Sequence, residues 1–330
     1  MALAGPDTTE ALLAGLRAVA EPTRLRILVL CAQAELSVTE LVQILGQSQP
    51  RVSRHLKLMV EADVLERHQE GARAFYRPSE TGVTGALVAR LVDLAPKEDA
   101  EAAEDRARLD TIRVARSEKA EDYFRSNAEN WEDLRGLYAD EAAIDARLAA
   151  AVAERAGGEL LDIGTGTGRV LEAVAPFVRG AIGVDNARPM LDVARAKLDG
   201  PHFHHCQVRL ADMYRLPFPA ARFDTVTVNM VLRYAEKPER VLAEAARVLR
   251  PGGRILIVDF APHRMTNLRD EHAHRWLGFS DEEIAEMAES LDLRVAPADR
   301  IKGDPLTVCL WSAEPAEVQA ANANRAALAS

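Results

Sequence analysis

The sequence predicts an α/β protein of two unlike parts, the first mainly helical and the second an alternation of strands and helices. Three observations carry this expectation. From residue 10 to 96 the apolar residues recur mostly at helical spacing, with a Gly-punctuated pair of helices near 37–60. Residues 160–169, LLDIGTGTGR, set an apolar run, an acid and three alternate glycines in a row, as a strand entering a tight ligand-binding turn does. Behind that turn, GAIGVD, QVRLADMYRLP, FDTVTVNMVLRY and VLRPGGRILIVDF follow as further strand-like runs. A chain of 330 residues exceeds what one hydrophobic core usually supports, so two domains are expected.

Composition narrows the class. Apolar residues are 48% and charged residues 28% of the chain, the balance of a globular protein in water. No apolar run approaches the roughly 18 residues a membrane span needs, so no membrane partner is expected. MALAGPDTTE lacks the basic start and apolar core of a signal peptide, which predicts a cytoplasmic protein. Cys31, Cys206 and Cys309 stand far apart and form no CxxC pair, as suits a reducing compartment. The net charge of −10 is unevenly spread. Residues 97–160 hold 10 Lys+Arg against 17 Asp+Glu, a balance of −7, while residues 1–96 hold 10 against 11. Overall acidity therefore does not exclude nucleic acid as a partner of the first part.

In EPTRLRILVL, Pro22 stands at a first-turn position of an apolar helix. SVTELVQIL then opens with Ser37 and Glu40 at capping-box spacing, aligns Val38, Leu41, Val42 and Leu45 on one face, and stops at Gly46. The next helix, SQPRVSRHLKLMVEADVL, turns Val52, Leu56, Met59 and Val60 toward a core. Ser48, Gln49, Arg51, Ser53, Arg54, His55 and Lys57 are left on its other faces. A capped helix, a Gly turn and a polar, basic second helix make a helix-turn-helix, whose second helix reads the DNA major groove. LERHQEGARAFYRP follows as a hairpin wing, with Arg67, Arg73 and Arg77 suited to phosphate contacts. TGVTGALVARLVDL ends the part with a stripe of Val83, Leu87, Leu91 and Leu94, suited to pairing with a second subunit.

In AEPTRLRILVL and SQPRVSRHLKLM above all, residues 10–95 resemble the winged-helix repressors of the ArsR/SmtB family. The resemblance implies a homodimer on double-stranded operator DNA. It also raises metal sensing, yet ELSVTEL lacks the cysteine pair of the family's arsenic sensors, and the last helix lacks the His of its zinc sensors. Elsewhere PHFHHC aligns His202, His204 and Cys206 along one side of an extended run, but no fourth ligand is evident. EHAHR is weaker still. No metal site is assigned.

The glycines of the central turn, Gly164, Gly166 and Gly168, are spaced more tightly than a dinucleotide G-x-G-x-x-G. The second strand ends at Asp185, where a carboxylate can accept both hydroxyls of a ribose. The third ends at Asp212, followed by Met213. With the two later strands, this order over residues 155–310 resembles the class I S-adenosylmethionine-dependent methyltransferases, which implies a Rossmann-like fold and that cofactor. The implied contacts are Asp162, Gly164, Thr165, Gly166 and Gly168 at the turn, and Asp185 with Asn186 at the ribose. Asp212 would accept from the adenine amino group, Met190 and Met213 would lie against its ring, and Asn229 is a further cofactor contact. Tyr123, in an upstream AEDYFRSNAENW segment with Phe124 and Trp131, is a further contact candidate.

The methyltransferase half further resembles the ubiquinone/menaquinone C-methyltransferase group, and more closely the domains fused behind ArsR-type repressors. His263, His272 and His274 in APHRMTNLRDEHAHR have ordinary pKa values suited to general-base work, with Arg233 orienting an acceptor. Arg233 stands where those fused domains commonly have His. The sequence thus divides into a DNA-binding and dimerisation domain (1–96), a helical linker and cap (97–154), a methyltransferase domain (155–312) and a loose tail (313–330). The leading expectation is a repressor-type regulator sensing the methyl cycle through S-adenosylmethionine or S-adenosylhomocysteine. The alternative is an active methyltransferase on a small-molecule acceptor, and the least favoured is a metal-sensing repressor.

Overall fold

A computed structural model describes residues 8–70, 73–79, 82–96, 99–126, 141–200, 202–272 and 274–315. The chain divides into two units, Met1–Lys119 with Asp199–His204, and Ala120–Leu198 with His205–Ser330.

The first unit comprises α1 (Thr9–Val19), α2 (Pro22–Gln33), β1 (Leu36–Ser37), α3 (Val38–Leu45) and α4 (Gln49–Glu61). A hairpin of β2 (Leu65–Glu70) and β3 (Arg73–Pro78) follows, then α5 (Gly82–Leu94) and most of α6 (Ala100–Ser126). α1, α2 and α3 each start on a side-chain cap. Thr8 accepts from the Ala11 amide at 3.1 Å, and Glu21 from the Arg24 amide at 2.9 Å. At α3, Ser37 and Glu40 close the expected capping box, and Gly46 ends the helix at φ +62°, a conformation most residues avoid. Leu41, Ile44, Leu45, Val52, Leu56 and Met59 interlock in one core with Ile27 and Leu28 of α2. β3 pairs with β1 on one side and β2 on the other, so the wing is anchored under α3.

Two expectations change in this unit. The segment after residue 97, expected as a solvated connector, belongs in part to the core. Leu109 of α6 is fully buried there and Ile112 packs on it, because their near one-turn spacing presents a narrow apolar seam. The Arg26 guanidinium fixes the seam by pairing with Asp105 at 2.7 Å and Glu101 at 2.6 Å. On α5, Leu91 leans on the unit's own core while Leu94 is 78% exposed, so the expected pairing stripe is only partly free.

The second unit is a layered sheet. α7 (Glu141–Ala153) leads into β4 (Glu159–Ile163), α8 (Arg169–Val174), β5 (Gly180–Asp185), α9 (Arg188–Lys197), β6 (Cys206–Leu210), β7 (Phe223–Asn229), α10 (Pro238–Val248) and β8 (Leu249–Phe260). α11 (Asn267–His272), α12 (Asp281–Glu289), β9 (Leu293–Val295), β10 (Asp299–Ile301) and β11 (Val308–Pro315) complete it. The sheet order is β10-β11-β8-β7-β4-β5-β6, with β9 pairing β11. β6, β5, β4, β7 and β8 run parallel, and β11 joins β8 antiparallel. The parallel strands read as nearly continuous apolar runs because helices cover both faces. Strand order reverses at β4, the switch point where such sheets open a crevice beyond their carboxyl ends. Residues 313–315, expected in the tail, continue β11, and Ala313 is buried.

Candidate cofactor-binding and nucleic-acid-binding sites

The glycine turn follows β4 at that switch point. Gly164, Gly166 and Gly168 have φ values of +72°, +53° and +77°, so all three use a backbone region other residues rarely enter. A Cβ on Gly164 would lie 2.2 Å from Cγ2 of Val231, so the loop after β7 presses directly on the turn. A Cβ on Gly166 would meet nothing within 4 Å, leaving its backbone open to a ligand. Gly183, on the neighbouring strand, makes room for the Thr165 side chain, whose Oγ1 would stand 2.5 Å from a Cβ there.

Asp162 is buried beneath the turn. Its Oδ1 accepts from the Thr227 hydroxyl at 2.7 Å, while Oδ2 has no hydrogen-bond partner. Burial pushes its carboxyl up to about 7, against the smaller opposing effects of the Thr227 hydroxyl and of the Thr165 hydroxyl beside it. Asp185 accepts from the Gly166 amide at 2.9 Å and the Ala187 amide at 2.8 Å, so one carboxylate ties the turn to the start of α9. Each oxygen retains a lone pair for a hydroxyl donor. Asp212 is exposed and accepts from the Tyr214 amide at 2.9 Å. Met190 and Met213 are half-buried, and Asn186 is exposed. Asn229 ends β7 with a buried Oδ1 that lacks a partner. Orphaned oxygens on Asp162, Thr165 and Asn229 beside an open glycine backbone fit a ligand rich in donors, as S-adenosylmethionine is with its ammonium and ribose hydroxyls. The side chains of Tyr123 and Phe124, and residue Trp131, lie outside the described residues.

Beyond Val231, a 3-10 turn at Leu232–Tyr234 carries Arg233 into a buried position. Its guanidinium pairs with Asp259, the fully buried penultimate residue of β8, at 3.2 Å. The Arg233 amide donates to the same carboxylate at 3.2 Å. The cation also lies 4.8 Å from the ring centres of Tyr234 and Phe260. Burial works against its charge, but Asp259 and Tyr234 hold its pKa above the ordinary value. His274 is 2% exposed and packs edge-on against Tyr234 at 5.2 Å. Burial, aided by the Arg233 charge, lowers its pKa to about 3. A neutral imidazole with so low a pKa is a hydrogen-bonding group and a feeble base at neutral pH. His263 is shifted down by burial, and its Nδ1 accepts from the Met265 amide at 3.3 Å. His272 lies 6.4 Å from His274, ring to ring. Arg233 Nε, His263 Nε2 and both ring nitrogens of His274 are buried without partners, a polar cluster with unused capacity.

On the first unit, Ser48, Gln49, Arg51, Ser53, Arg54 and Lys57 are all exposed on α4, the opposite side from Val52, Leu56 and Met59. Ser48 makes no cap bond to the helix. His55 departs from this group. Only 14% of its side chain is exposed, its Nδ1 lies 3.8 Å from Glu21, and burial lowers its pKa. On the wing, Arg67 and Arg73 are exposed, whereas Arg77 pairs with Glu66 across the hairpin at 2.7 Å and is 12% exposed. The cross-strand register puts Arg77 opposite Glu66, so the ion pair holds its guanidinium along the hairpin.

Among the described residues, no group of three His, Cys, Asp or Glu is placed to hold a metal ion. His202 and His204 fold with the first unit while Cys206 begins β6 in the second, and burial pushes the Cys206 thiol up to about 12. No described helix is long and apolar enough to cross a membrane. Sequence reasoning missed Thr227, Val231 and Asp259. Only Asp259 had a visible signal, an acid closing the apolar run ILIVDF as Asp162 and Asp185 close theirs.

Residues 161–257 match the family model for a methyltransferase domain, and residues 21–67 that of the bacterial regulatory protein arsR family. A demethylmenaquinone methyltransferase of Thermus thermophilus is 39% identical over 113 residues, 33% of this chain and 50% of that protein. A methyltransferase named YcgJ from Bacillus subtilis is 33% identical over 141 residues, 42% of this chain and 54% of that protein. The chain spans about half the length of these curated relatives. The crystal structure of the YcgJ protein aligns with a TM-score of 0.46 at 19% identity, covering 51% of this chain and 98% of that one. One chain therefore matches the arsR-family regulatory model at residues 21–67 and the methyltransferase-domain model at residues 161–257.

Proposed function

We propose that this protein is a cytoplasmic, homodimeric repressor-type regulator whose methyltransferase domain binds S-adenosylmethionine or S-adenosylhomocysteine and thereby sets its affinity for operator DNA. The observation that carries the reading is the pairing, in one chain, of an exposed basic α4 face with an open glycine cradle over a half-satisfied Asp162. Gly164, Gly166 and Gly168 admit the ligand's backbone contacts, Asp185 holds ribose hydroxyls, and Asp212 with Met190 and Met213 faces the base. Genes of the methyl cycle are the natural targets of such a sensor. The ligand changes operator affinity only if it favours one DNA-binding state, and couplings of this kind span about 5- to 150-fold.

The test is fluorescence anisotropy of the protein on a labelled duplex from upstream of its own coding sequence, at fixed salt. Each cofactor form is titrated separately. A shift of about fivefold or more with either form is expected. Saturation with both forms and no shift sinks the sensor.

A second reading, catalytic methyl transfer to a small acceptor, is favoured by one observation, the polar cluster of Arg233, His263 and His274 with four partnerless nitrogens. S-adenosylmethionine would supply an activated methyl group. The chain's own contribution would be to orient an acceptor, with the Arg233 cation holding a negative oxygen and neutral His274 donating or accepting a hydrogen bond. The Thermus relative is a demethylmenaquinone methyltransferase and a Geobacter relative a ubiquinone/menaquinone C-methyltransferase, which makes a ring carbon of a hydroxylated aromatic the first acceptor to try. Release of S-adenosylhomocysteine that depends on such an acceptor, and falls in Arg233→Met, is the expected result.

A further inference from the structure

Within the second unit a half-open cleft lies between α7 and the sheet face formed by β8 and β11, with a cavity volume of about 460 Å³. That volume is of the size small-molecule sites have. Its walls follow from the periods of the two elements. Arg147, Ala150, Ala151 and Glu154 stand at i, i+3, i+4 and i+7, so one face of the helix and its exit looks onto the sheet. Opposite them, Arg254 and Leu256 share one face of β8, and Leu310 and Ser312 share the same face of β11, with Ser312 in register with Leu256. Two alanines on the helix side leave the space between these walls open.

Arg254 is the polar centre of the cleft. Its side chain is 3% exposed. Nη1 donates to Glu154 at 3.0 Å and Nη2 to the Ala151 carbonyl, which closes the last turn of α7. Nε is buried and has no hydrogen-bond partner. The paired acid gives the cation little relief, because Glu154 is 70% exposed and screened by water. Burial lowers the Arg254 pKa, against the opposing bond to Glu154 and with help from the nearby Arg155 charge. The other acids at the cleft are engaged elsewhere, Asp299 with Arg147 at 2.5 Å and Glu314 with Arg155 at 2.8 Å. A helix-capping role alone uses the two Nη groups and leaves the buried Nε as a pure cost.

We propose that this cleft is a second ligand site, separate from the glycine cradle, which takes a small monocarboxylate with an apolar body, its carboxylate accepting from Arg254 Nε. The guanidinium favours a charged acceptor over a neutral one, and a single negative charge fits best. A dianion would also meet Glu154, Asp299 and Glu314 at close range. The apolar body lies between Leu256 and Leu310 on one side and Ala150 and Ala151 on the other. The cleft stands apart from the cofactor turn. Arg254 is in register with Thr225 of β7, and Asn229 lies farther along that strand by about 13 Å. Neither cofactor-dependent DNA binding nor methyl transfer is needed for such a ligand to bind.

The probe is benzoate, titrated into the isotope-labelled full chain and followed by nuclear magnetic resonance, with benzamide as its neutral counterpart and benzylamine as the opposite charge. Benzoate is expected to bind with a Kd of about 1 mM, as suits so few atoms, and to shift an arginine Nε–H resonance that is missing in Arg254→Met. Benzamide and benzylamine should bind more weakly by about tenfold or more, and benzoate should lose as much in Arg254→Met. Ala150 is exposed at the rim, so Ala150→Phe should cover the cleft and abolish binding while leaving Arg254 and its bonds in place. Saturating S-adenosylhomocysteine should leave benzoate affinity within about twofold. No benzoate binding at about 20 mM, or benzamide or benzylamine binding as tightly as benzoate, overturns the site. Benzoate binding that survives Ala150→Phe, or that S-adenosylhomocysteine displaces, also overturns it, since the probe then sits elsewhere. Should Arg254→Met fail to fold, the contrast between benzoate and benzamide and the effect of Ala150→Phe decide, because both keep Arg254.

Discussion

Asp162 is a carboxylate that the fold makes hard to ionise, and its stability effect has a definite sign. Burial raises its pKa to about 7, so the folded state holds a proton the unfolded chain gives up at lower pH. Stability from this group is complete below the ordinary carboxylate range and is lost as pH rises through about 7. Asp162→Asn removes that liability while keeping an acceptor for Thr227. The ligand-free protein should therefore gain about 2 kcal/mol at pH 8 and clearly less at pH 5, while cofactor affinity falls. Thermal unfolding at the two pH values checks it, and equal gains at both would show that Asp162 is already ionised in the folded state. His274 has the opposite sign, since burial lowers its pKa and the folded state loses stability as pH falls from 6.5 toward 3. Neither shift is visible in the sequence, because each depends on what other strands and loops pack over the residue. The acid before the glycines was legible; the Thr227 that satisfies half of it was not.

The helices and strands divide into those fixed by local signals and those fixed by distant partners. α3 is of the first kind, with Ser37, Glu40 and Gly46 marking both ends within ten residues. The exposed set on α4 is legible for the same reason, because periodicity alone separates Arg51, Arg54 and Lys57 from Val52, Leu56 and Met59. The parallel strands announced themselves as apolar runs closed by Asp162, Asp185 and Asn229. α6 is of the second kind. Its apolar residues are so thinly spaced that only the waiting core of the first unit reveals Leu109 as structural. Leu109→Ala should cost about 2–5 kcal/mol by leaving a cavity, seen as a lower denaturation midpoint of the first unit. A solvated connector would tolerate the change with no measurable shift. The wing gives a matched contrast. Arg54→Ala should weaken operator binding and reduce its salt slope by about one, whereas Arg77→Ala should leave the slope unchanged, since Arg77 is occupied by Glu66.

At the level of the whole molecule, the first unit leaves apolar surface where its first and fifth helices pack together. Leu13 and Leu16 of α1 are 42% and 40% exposed, and Leu94 of α5 is 78% exposed. An exposed leucine alone needs no explanation, but three on adjoining helices of one unit favour a second copy as cover. A symmetric pair would present two α4 helices and reach two half-sites, doubling the phosphate contacts per complex. Leu16→Asp with Leu94→Asp should therefore convert a dimer to a monomer in sedimentation equilibrium and roughly halve the salt slope of operator binding. Cofactor affinity should not change, because every residue assigned to the glycine cradle lies in the second unit. If the altered protein still sediments as a dimer, the pairing surface is elsewhere. If the monomer binds operator with the full slope, one α4 and its wing supply all the phosphate contacts, and the ligand would have to act within a single chain.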